Sequence, residues 1–197
     1  MRMFSRKKIM VLVAVSVCLT MLFTVTALSA TNYSQCWDSG QGGTVTYQNL
    51  SGGHYKVNWS NINNFVAGKG YNPSGSRVMT WSGYASGAQY FGVYGWLTGP
   101  LVEYYIGRGG GTYVGTYPVN GRGNYTLYKT TVTGPSIQGY TTFTQYNCSG
   151  SGSSGVDLAQ HFAGWRSLGQ SVGGTNYCIV ATEGWGGSSG SADVTVN

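Results

Sequence analysis

Acidic residues are scarce in this sequence, which has five Asp and Glu among 197 residues. Only Glu103 and Glu183 are glutamates, and both lie in apolar, aromatic stretches that resemble strands. A charged carboxylate among apolar neighbours is disfavoured unless it is paired or neutralised. The chain therefore does not use its glutamates for solubility, and a chemical role has to be weighed for both.

Histidine and cysteine are also rare, with two and four copies. No group of His, Cys and Asp has the spacing of metal ligands, so the sequence predicts no metal site and no cofactor. No Ser-His-Asp arrangement can be argued from the chain. Outside the N-terminal segment the Lys and Arg residues are scattered rather than clustered, which argues against nucleic-acid binding.

Helix-forming residues are few, whereas the chain contains 33 Gly and 16 Tyr. Short runs with alternating apolar and polar residues recur from residue 44 onwards, separated by Gly, Asn, Pro and Ser. This pattern indicates an all-β protein, either a sandwich or a jelly roll. The predicted strands are residues 44–47, 54–59, 77–81, 89–96, 101–106, 124–131, 140–146, 177–183 and 192–196.

Residues 1–30 have the pattern of a secretory signal peptide: a basic start, an apolar run from Ile9 to about Leu28, and small residues at its end. The length of the run also fits an uncleaved membrane anchor. Removing this segment takes four of the eleven Lys and Arg and no acid, which leaves a net charge of +2. We expect a secreted protein whose residues 31–197 form a single domain and do not contact the membrane after cleavage.

One segment breaks the strand pattern, because residues 156–168 place apolar side chains at spacings of three and four. The spacing predicts one amphipathic helix packed on the outside of a sheet through Phe162 and Trp165. His161 falls on the apolar face of this helix, which favours a core histidine over a catalytic one. His54 is also a poor catalytic candidate.

One of the four cysteines lies in the signal segment, which leaves Cys36, Cys148 and Cys178. An exported protein can form one disulfide from these three. If Gln145 and Glu183 face a cleft, Cys148 and Cys178 are an odd number of residues away and face the opposite side of the sheet. Strand parity therefore predicts a Cys148–Cys178 disulfide.

Two carboxyl groups facing one cleft are the apparatus of glycoside hydrolysis. Their environments must separate their pKa values, so that one attacks as a carboxylate while the other donates a proton. Tyr94 or Tyr105 could supply a hydroxyl that keeps a neighbouring glutamate ionised. The alternative is that Glu103 and Glu183 are surface residues on edge strands.

Aromatic residues are abundant, with 16 Tyr and six Trp. Sugar rings stack on aromatic rings, so an aromatic groove predicts a polysaccharide site. The alternative is that these residues fill sheet faces because of their β propensity.

Several motifs together resemble family 11 of the glycoside hydrolases, the endo-1,4-β-xylanases. They follow the family's order from about residue 37 to the end of the chain. The matching stretches are YKVNWSN (55–61), NFVAGKG (64–70), YGW (94–96), PLVEYY (100–105), PSI (135–137), TFTQY (142–146), the helix around His161, and ATEG (181–184).

The resemblance implies an all-β β-jelly roll of two curved antiparallel sheets with one α-helix packed on the outside. It also implies that Glu103 is the nucleophile and Glu183 the general acid/base, with Tyr94 and Tyr105 supporting the nucleophile and the sugar. The remaining residues implied to bind substrate are Asn64, Gln145, Trp37, Trp96, Tyr90, Trp185 and the thumb-hairpin residues Pro135, Ser136 and Ile137.

The chain departs from the family pattern at several positions. Thr131 replaces a frequent Arg before the thumb, and Asn147 replaces a frequent Trp. Arg108 stands where relatives often have an acid, and Trp185 replaces a frequent Tyr. These changes leave the pair of glutamates intact and alter the electrostatics of the cleft.

The sequence thus predicts a secreted, monomeric endo-1,4-β-xylanase that cuts the xylan main chain internally with retention of configuration. Two alternatives stay open: a noncatalytic carbohydrate-binding jelly roll, and a β-1,4-glucanase of related fold. The thumb motif argues against the glucanase.

Overall fold

The computed structural model describes residues 30–150 and 155–197. The predicted signal peptide therefore lies outside the described residues, apart from residue 30. No helix in the described part of the chain is both long and apolar enough to cross a membrane. The elements are β1 (Tyr33–Asp38), β2 (Thr44–Asn49), β3 (His54–Tyr71), β4 (Val78–Ser86), β5 (Tyr90–Thr98), β6 (Val102–Ile106), β7 (Thr112–Val119), β8 (Gly123–Ser136), β9 (Gly139–Ser149), β10 (Gly155–Asp157), α1 (Leu158–Ser167) and β11 (Gly174–Val196).

Two long strands, β3 and β11, hold the fold together because each pairs with a different set of strands along its two halves. The start of β3 and the end of β11 pair with each other and with β2 and β4, and β10 extends this outer layer beside β4. Their other halves belong to an inner layer with the strand order β1-β3-β11-β5-β6-β9-β8-β7. The result is the two-layered jelly roll that the sequence predicts.

Both long strands change layer at one corner of the fold. In β11 the pairing with β3 shifts register between Trp185 and Gly190, and Gly186 and Gly187 adopt positive φ there. Opposite them Asn61 has a φ of 48°, the only positive φ outside glycine among the described residues. Asn and Gly tolerate this conformation, so these residues permit a bulge that bends both strands together.

The structure corrects several strand boundaries. Strands β1, β7 and β10 were not predicted, because their Gly-rich and polar neighbours resemble loops. The predicted strands 177–183 and 192–196 are two halves of β11, joined through the Gly- and Ser-rich bulge. The sheets are not wholly antiparallel, since β6 and β9 run parallel and place Glu103 opposite Gln145.

Helix α1 begins one residue after its N-cap, Asp157, whose carboxylate accepts a hydrogen bond from the backbone of Gln160. The predicted amphipathic pattern is confirmed, because Leu158, Phe162 and Trp165 are buried. They pack under the inner layer, on the side away from the cleft described below. Phe162 and Trp165 both contact the ring of Tyr104 edge-on.

The core histidine predicted at position 161 is confirmed, since His161 is fully buried. Its Nδ1 lies 2.7 Å from the hydroxyl of Tyr117, which also accepts a hydrogen bond from Trp165 Nε1 at 2.8 Å. Burial lowers the pKa of His161 to about 4, so the ring is neutral in the folded protein at neutral pH. This polar cluster fixes α1 against β7 and has no access to the cleft.

The predicted Cys148–Cys178 disulfide is wrong, because both cysteines are free and buried. The sulfur of Cys148 lies 2.7 Å from the Tyr117 hydroxyl, whereas that of Cys178 lies 3.2 Å from Met79 Sδ. Their strands, β9 and β11, are separated by β5 and β6. Three strand spacings amount to roughly 14 Å, twice the reach of a disulfide. Parity correctly placed both on the face away from the cleft but carried no information about strand order.

Gly164 in α1 provides a test of this packing. A Cβ at Gly164 would lie 2.1 Å from Cδ2 of the buried Tyr117 ring. We expect Gly164→Ala to lower the free energy of unfolding by about 1–3 kcal/mol through overpacking, although Gly→Ala inside a helix ordinarily stabilises. Urea unfolding would measure it, with Ala163→Gly on the exposed side of α1 as the control. An increase in stability for Gly164→Ala would contradict the packing.

Candidate active site

The concave face of the inner layer is formed by alternate residues of its strands. Register places Tyr94 of β5 opposite Tyr105 of β6, and Trp96 opposite Glu103. Glu183 of β11 lies opposite Val66 of β3. Because alternate side chains share a face, these residues all project to the same side of the sheet.

This face forms a cleft of about 710 Å³ that holds both glutamates. It contains every residue predicted to act in catalysis or substrate binding except Tyr90. The lining residues are Tyr33, Gln35, Trp37, Asn64, Val66, Tyr94, Trp96, Glu103, Tyr105, Arg108, Val132, Gly134, Pro135, Ser136, Ile137, Phe143, Gln145, Asn176, Tyr177, Glu183 and Trp185.

The carboxyl group of Glu103 accepts three hydrogen bonds, although the residue is almost wholly buried. Gln145 Nε2 donates to Oε2 at 2.7 Å, Tyr94 donates to Oε1 at 2.9 Å, and Tyr105 donates to the same oxygen at 3.3 Å. Burial raises the pKa of Glu103, while these donors and the charge of Arg108 act against that rise. Three donors aimed at one carboxyl group favour its ionised form.

Glu183 has the opposite environment. The residue is only 5% exposed, and no described residue makes a hydrogen bond to its Oε1. Burial and then the negative charge of Glu103 raise the pKa of Glu183 to about 8. A group with this pKa is protonated at neutral pH.

The two carboxyl groups therefore differ in the way that acid/base chemistry requires. One proton is shared between a pair of coupled groups, and the hydrogen bonds assign it to Glu183. The site offers a carboxylate and a carboxylic acid to the same cleft. That arrangement can attack a carbon centre and protonate a leaving oxygen.

The aromatic residues predicted to bind sugar lie along this cleft. Trp96 is buried, and its Nε1 donates a hydrogen bond at 2.8 Å to the Tyr94 hydroxyl, the same hydroxyl that donates to Glu103. Trp37 and Trp185 are more accessible and lie against the apolar cluster of the cleft. Asn64 lines the cleft opposite Trp185 in the register of β3 and β11.

The hairpin of β8 and β9 carries the predicted thumb residues to the edge of the cleft. Its turn is closed by Ser136, whose hydroxyl donates to the carbonyl of Gly139 at 2.7 Å and accepts from the backbone of Gln138 at 3.0 Å. Pro135 and Ile137 also line the cleft. The hairpin thus forms one wall above the glutamates.

Tyr90 is the predicted substrate-binding residue that the structure places outside the cleft lining. Its hydroxyl donates to the backbone carbonyls of Val93 at 2.7 Å and Ile106 at 3.0 Å. Its ring meets Tyr105 edge-on, with centroids 5.0 Å apart. Tyr90 therefore supports Tyr105 from beneath.

Several residues of the site were not predicted. Tyr177 lines the cleft and stacks on Tyr33, with ring centroids 4.7 Å apart. Asn147 donates to Gln145 Oε1 at 3.0 Å and so orients the amide that binds Glu103. Strand parity places Asn147 on the same face as Gln145, but the hydrogen bond between them was not predicted. Strand β1 was not recognised, and Tyr33 was missed with it.

Thr131 has no contact with the cleft, although it was noted for replacing a frequent Arg. Thr131 is exposed and pairs with Thr144. The neighbouring pair is Thr130 and Gln145, and Gln145 faces the cleft. Adjacent strand residues point to opposite faces. Thr131 therefore faces away from the glutamates.

Comparison with known proteins agrees with this architecture. Residues 29–195 match the sequence profile of Glycosyl hydrolases family 11. The chain is 47% identical over 174 residues to endo-1,4-beta-xylanase B of Phanerodontia chrysosporium, covering 82% of this chain and 59% of that protein. It is 42% identical over 178 residues to ethylene-inducing xylanase 3 of Verticillium longisporum, covering 83% and 61%. These matches span less than two thirds of either relative.

A solved structure shows the same fold. It comes from a structural comparison of two major endo-1,4-beta-xylanases from Trichoderma reesei, with a TM-score of 0.75 and 38% identity. The superposition covers 86% of this chain and 99% of that one. The profile match over nearly all described residues and the shared fold lead to one conclusion: this chain belongs to glycosyl hydrolase family 11.

Proposed function

We propose that this protein is an endo-1,4-β-xylanase that hydrolyses internal β-1,4-xylosidic bonds of xylan with retention of configuration. The observation that supports the proposal best is the cleft in which Glu103 accepts three hydrogen bonds while Glu183 has a pKa raised to about 8. The family relatives named as xylanases favour xylan as the substrate.

In the proposed mechanism Glu103 attacks the anomeric carbon as a carboxylate. Glu183 donates its proton to the departing glycosidic oxygen, and a covalent glycosyl-enzyme forms. Glu183, now ionised, takes a proton from water, and this water displaces Glu103 from the sugar. Each residue returns to its starting protonation state.

The hydroxyls of Tyr94 and Tyr105 have a defined task in this cycle. Both donate to Oε1 of Glu103, whereas Gln145 donates to Oε2. Fixing both oxygens restricts the carboxylate to one orientation and stabilises the charge that it carries before attack. Trp37 and Trp185 would stack on sugar rings, with the thumb hairpin closing over the chain.

A comparison of substrates tests this function. We expect reducing sugars to be released from soluble xylan and not from carboxymethylcellulose, and proton NMR to detect the β-anomer first. Binding of xylan without hydrolysis would favour a noncatalytic carbohydrate-binding protein. Hydrolysis of carboxymethylcellulose in preference to xylan would favour a β-1,4-glucanase.

The cellular setting is part of the proposal. We infer that residues 1–30 are a signal peptide, that residues 31–197 form a single catalytic domain, and that the mature protein is secreted and monomeric. N-terminal sequencing of the protein from culture medium and light scattering would test these points. An N-terminus at residue 1 would contradict cleavage.

The pH dependence of kcat/KM provides a further prediction. Because Glu183 must carry a proton to protonate a sugar leaving group, kcat/KM on neutral xylo-oligosaccharides should fall as pH rises through about 8. The decline should approach tenfold per pH unit. An aryl xylobioside whose phenolate leaves without protonation serves as the control and should show a weaker decline. An equal decline for both substrates would contradict the role of Glu183.

A further inference from the structure

Arg108 lies in the cleft two residues after the end of β6 and takes no step in the mechanism above. Its guanidinium carbon is 4.5 Å from the ring centroid of Tyr105 and 5.4 Å from that of Trp185. The side chain is half-buried. Two aromatic rings therefore hold this cation at the wall of the cleft, beside the glutamates.

The charge of Arg108 is not paired with a carboxylate. Across residues 30–150 and 155–197 the salt bridges are those of Asp193 with His54 and Lys56, and Arg108 makes none. The backbone N–H of Arg108 donates to the carbonyl of Cys148 at 3.1 Å, but its guanidinium donates no hydrogen bond to a residue in these ranges. A guanidinium has five N–H donors in a planar fork, so its donors are available to a molecule in the cleft.

We propose that Arg108 binds the carboxylate of a uronic acid branch carried by the polysaccharide main chain. This inference rests on the proposed function. A planar guanidinium matches a carboxylate through two parallel hydrogen bonds, which neutral sugar hydroxyls cannot reproduce. Arg108 also offsets the negative charge of Glu103, which would otherwise repel an anionic branch from this cleft.

The position of Arg108 would hold the uronic acid branch at a fixed place relative to the bond that is cleaved. Trp185, against which Arg108 lies, is two residues from Glu183. A branch held there stands at a constant distance from the bond that Glu183 protonates. Cleavage should therefore leave the branch at a preferred place in the products.

A matched pair of substrates tests the proposal: glucuronoxylan, and the same polysaccharide after its uronic acid carboxyls have been reduced to alcohols. At low salt the wild-type kcat/KM should be about five to ten times higher on the acidic form. Arg108→Gln should bring this ratio close to one, and Arg108→Lys should give an intermediate ratio. Mass spectrometry should show branch positions becoming more varied in Arg108→Gln.

The control is Arg166→Gln, which removes the same charge from the exposed side of α1 and should keep the wild-type ratio. A wild-type ratio of one, or an unchanged ratio in Arg108→Gln, would overturn the proposal. If Arg108 acted only on the pKa values of the two glutamates, its replacement would shift the pH profile equally on both substrates. The wild-type ratio of kcat/KM would then be one, which also overturns the proposal.

Failure of the proposed function would look different. In that case the wild type would not hydrolyse linear, neutral xylo-oligosaccharides. Gel retardation by the two polysaccharides would still measure whether Arg108 favours the acidic form, independently of turnover. Equal retardation of the wild type by both forms would then overturn the role of Arg108.

Discussion

Replacing Glu103 by Gln is expected to reduce the turnover of xylan by at least about 10³-fold, because the amide cannot attack the anomeric carbon. The same replacement should lower the pKa of Glu183, since the charge of Glu103 is one of the two causes that raise it. The volume is conserved, so folding should survive.

The chain is well suited to measuring that second effect. It contains only two glutamates, so labelling glutamate with ¹³C at Cδ yields two titrating signals in the wild type. In Glu103→Gln the one remaining signal reports Glu183 directly. Asp193→Asn, which changes a partly exposed acid of the outer layer, is the control and should leave turnover unchanged. More than a tenth of wild-type turnover in Glu103→Gln would exclude Glu103 as the nucleophile.

Replacing Glu183 by Gln should have an effect that depends on the leaving group. Protonation of the leaving oxygen by a positioned acid contributes about 10²–10⁴-fold, so hydrolysis of xylan should fall by that factor. Formation of the glycosyl-enzyme from an aryl xylobioside with an acidic phenol should be much less affected, because the phenolate leaves unaided. Pre-steady-state release of the phenol would measure this. An equal loss on both substrates would contradict the role of Glu183 as the acid.

The same variant should be more stable than the wild type in alkaline solution. The pKa of Glu183 is about 8 in the folded protein and about 4.5 as the ordinary value, so the folded state binds more protons between these values. Stability is therefore lost as pH rises through this window, by on the order of a few kcal/mol. We expect Glu183→Gln to raise Tm more at pH 9 than at pH 5. An equal change in Tm at pH 5 and pH 9 would show that ionisation of Glu183 does not destabilise the folded protein.

Sequence reasoning was reliable where it depended on local patterns. The alternation of residues places Glu103, Tyr105 and Gln145 on cleft-facing positions, and the spacing around Phe162 and Trp165 identifies the helix. It failed where glycine-rich stretches continue a strand, as through Gly186 and Gly187 in β11. Periodicity has no means of distinguishing a bulge inside a strand from a loop between strands.

Parity also has a limit that Tyr90 and the cysteines illustrate. Tyr90 shares a face of β5 with Tyr94, yet it lies beneath Tyr105 with its hydroxyl bound to backbone carbonyls. Cys148 and Cys178 share the face away from the cleft but lie on strands that are not neighbours. Strand parity identifies the face of the sheet on which a side chain lies. It does not tell how deeply that side chain is buried, or how many strands separate two residues on the same face.

The amino-acid sequence by itself determined the β class, the single helix, and the side of its strand on which each glutamate lies, because these properties depend on neighbours within a few residues. Only the tertiary structure decided which groups meet. The order β11-β5-β6-β9 and the bend shared by β3 and β11 bring Glu183 to the cleft of Glu103 and keep the cysteines apart. Strand order and curvature come from contacts between distant segments, and so does the separation of the two pKa values, which requires burial and a charged partner that no local pattern contains.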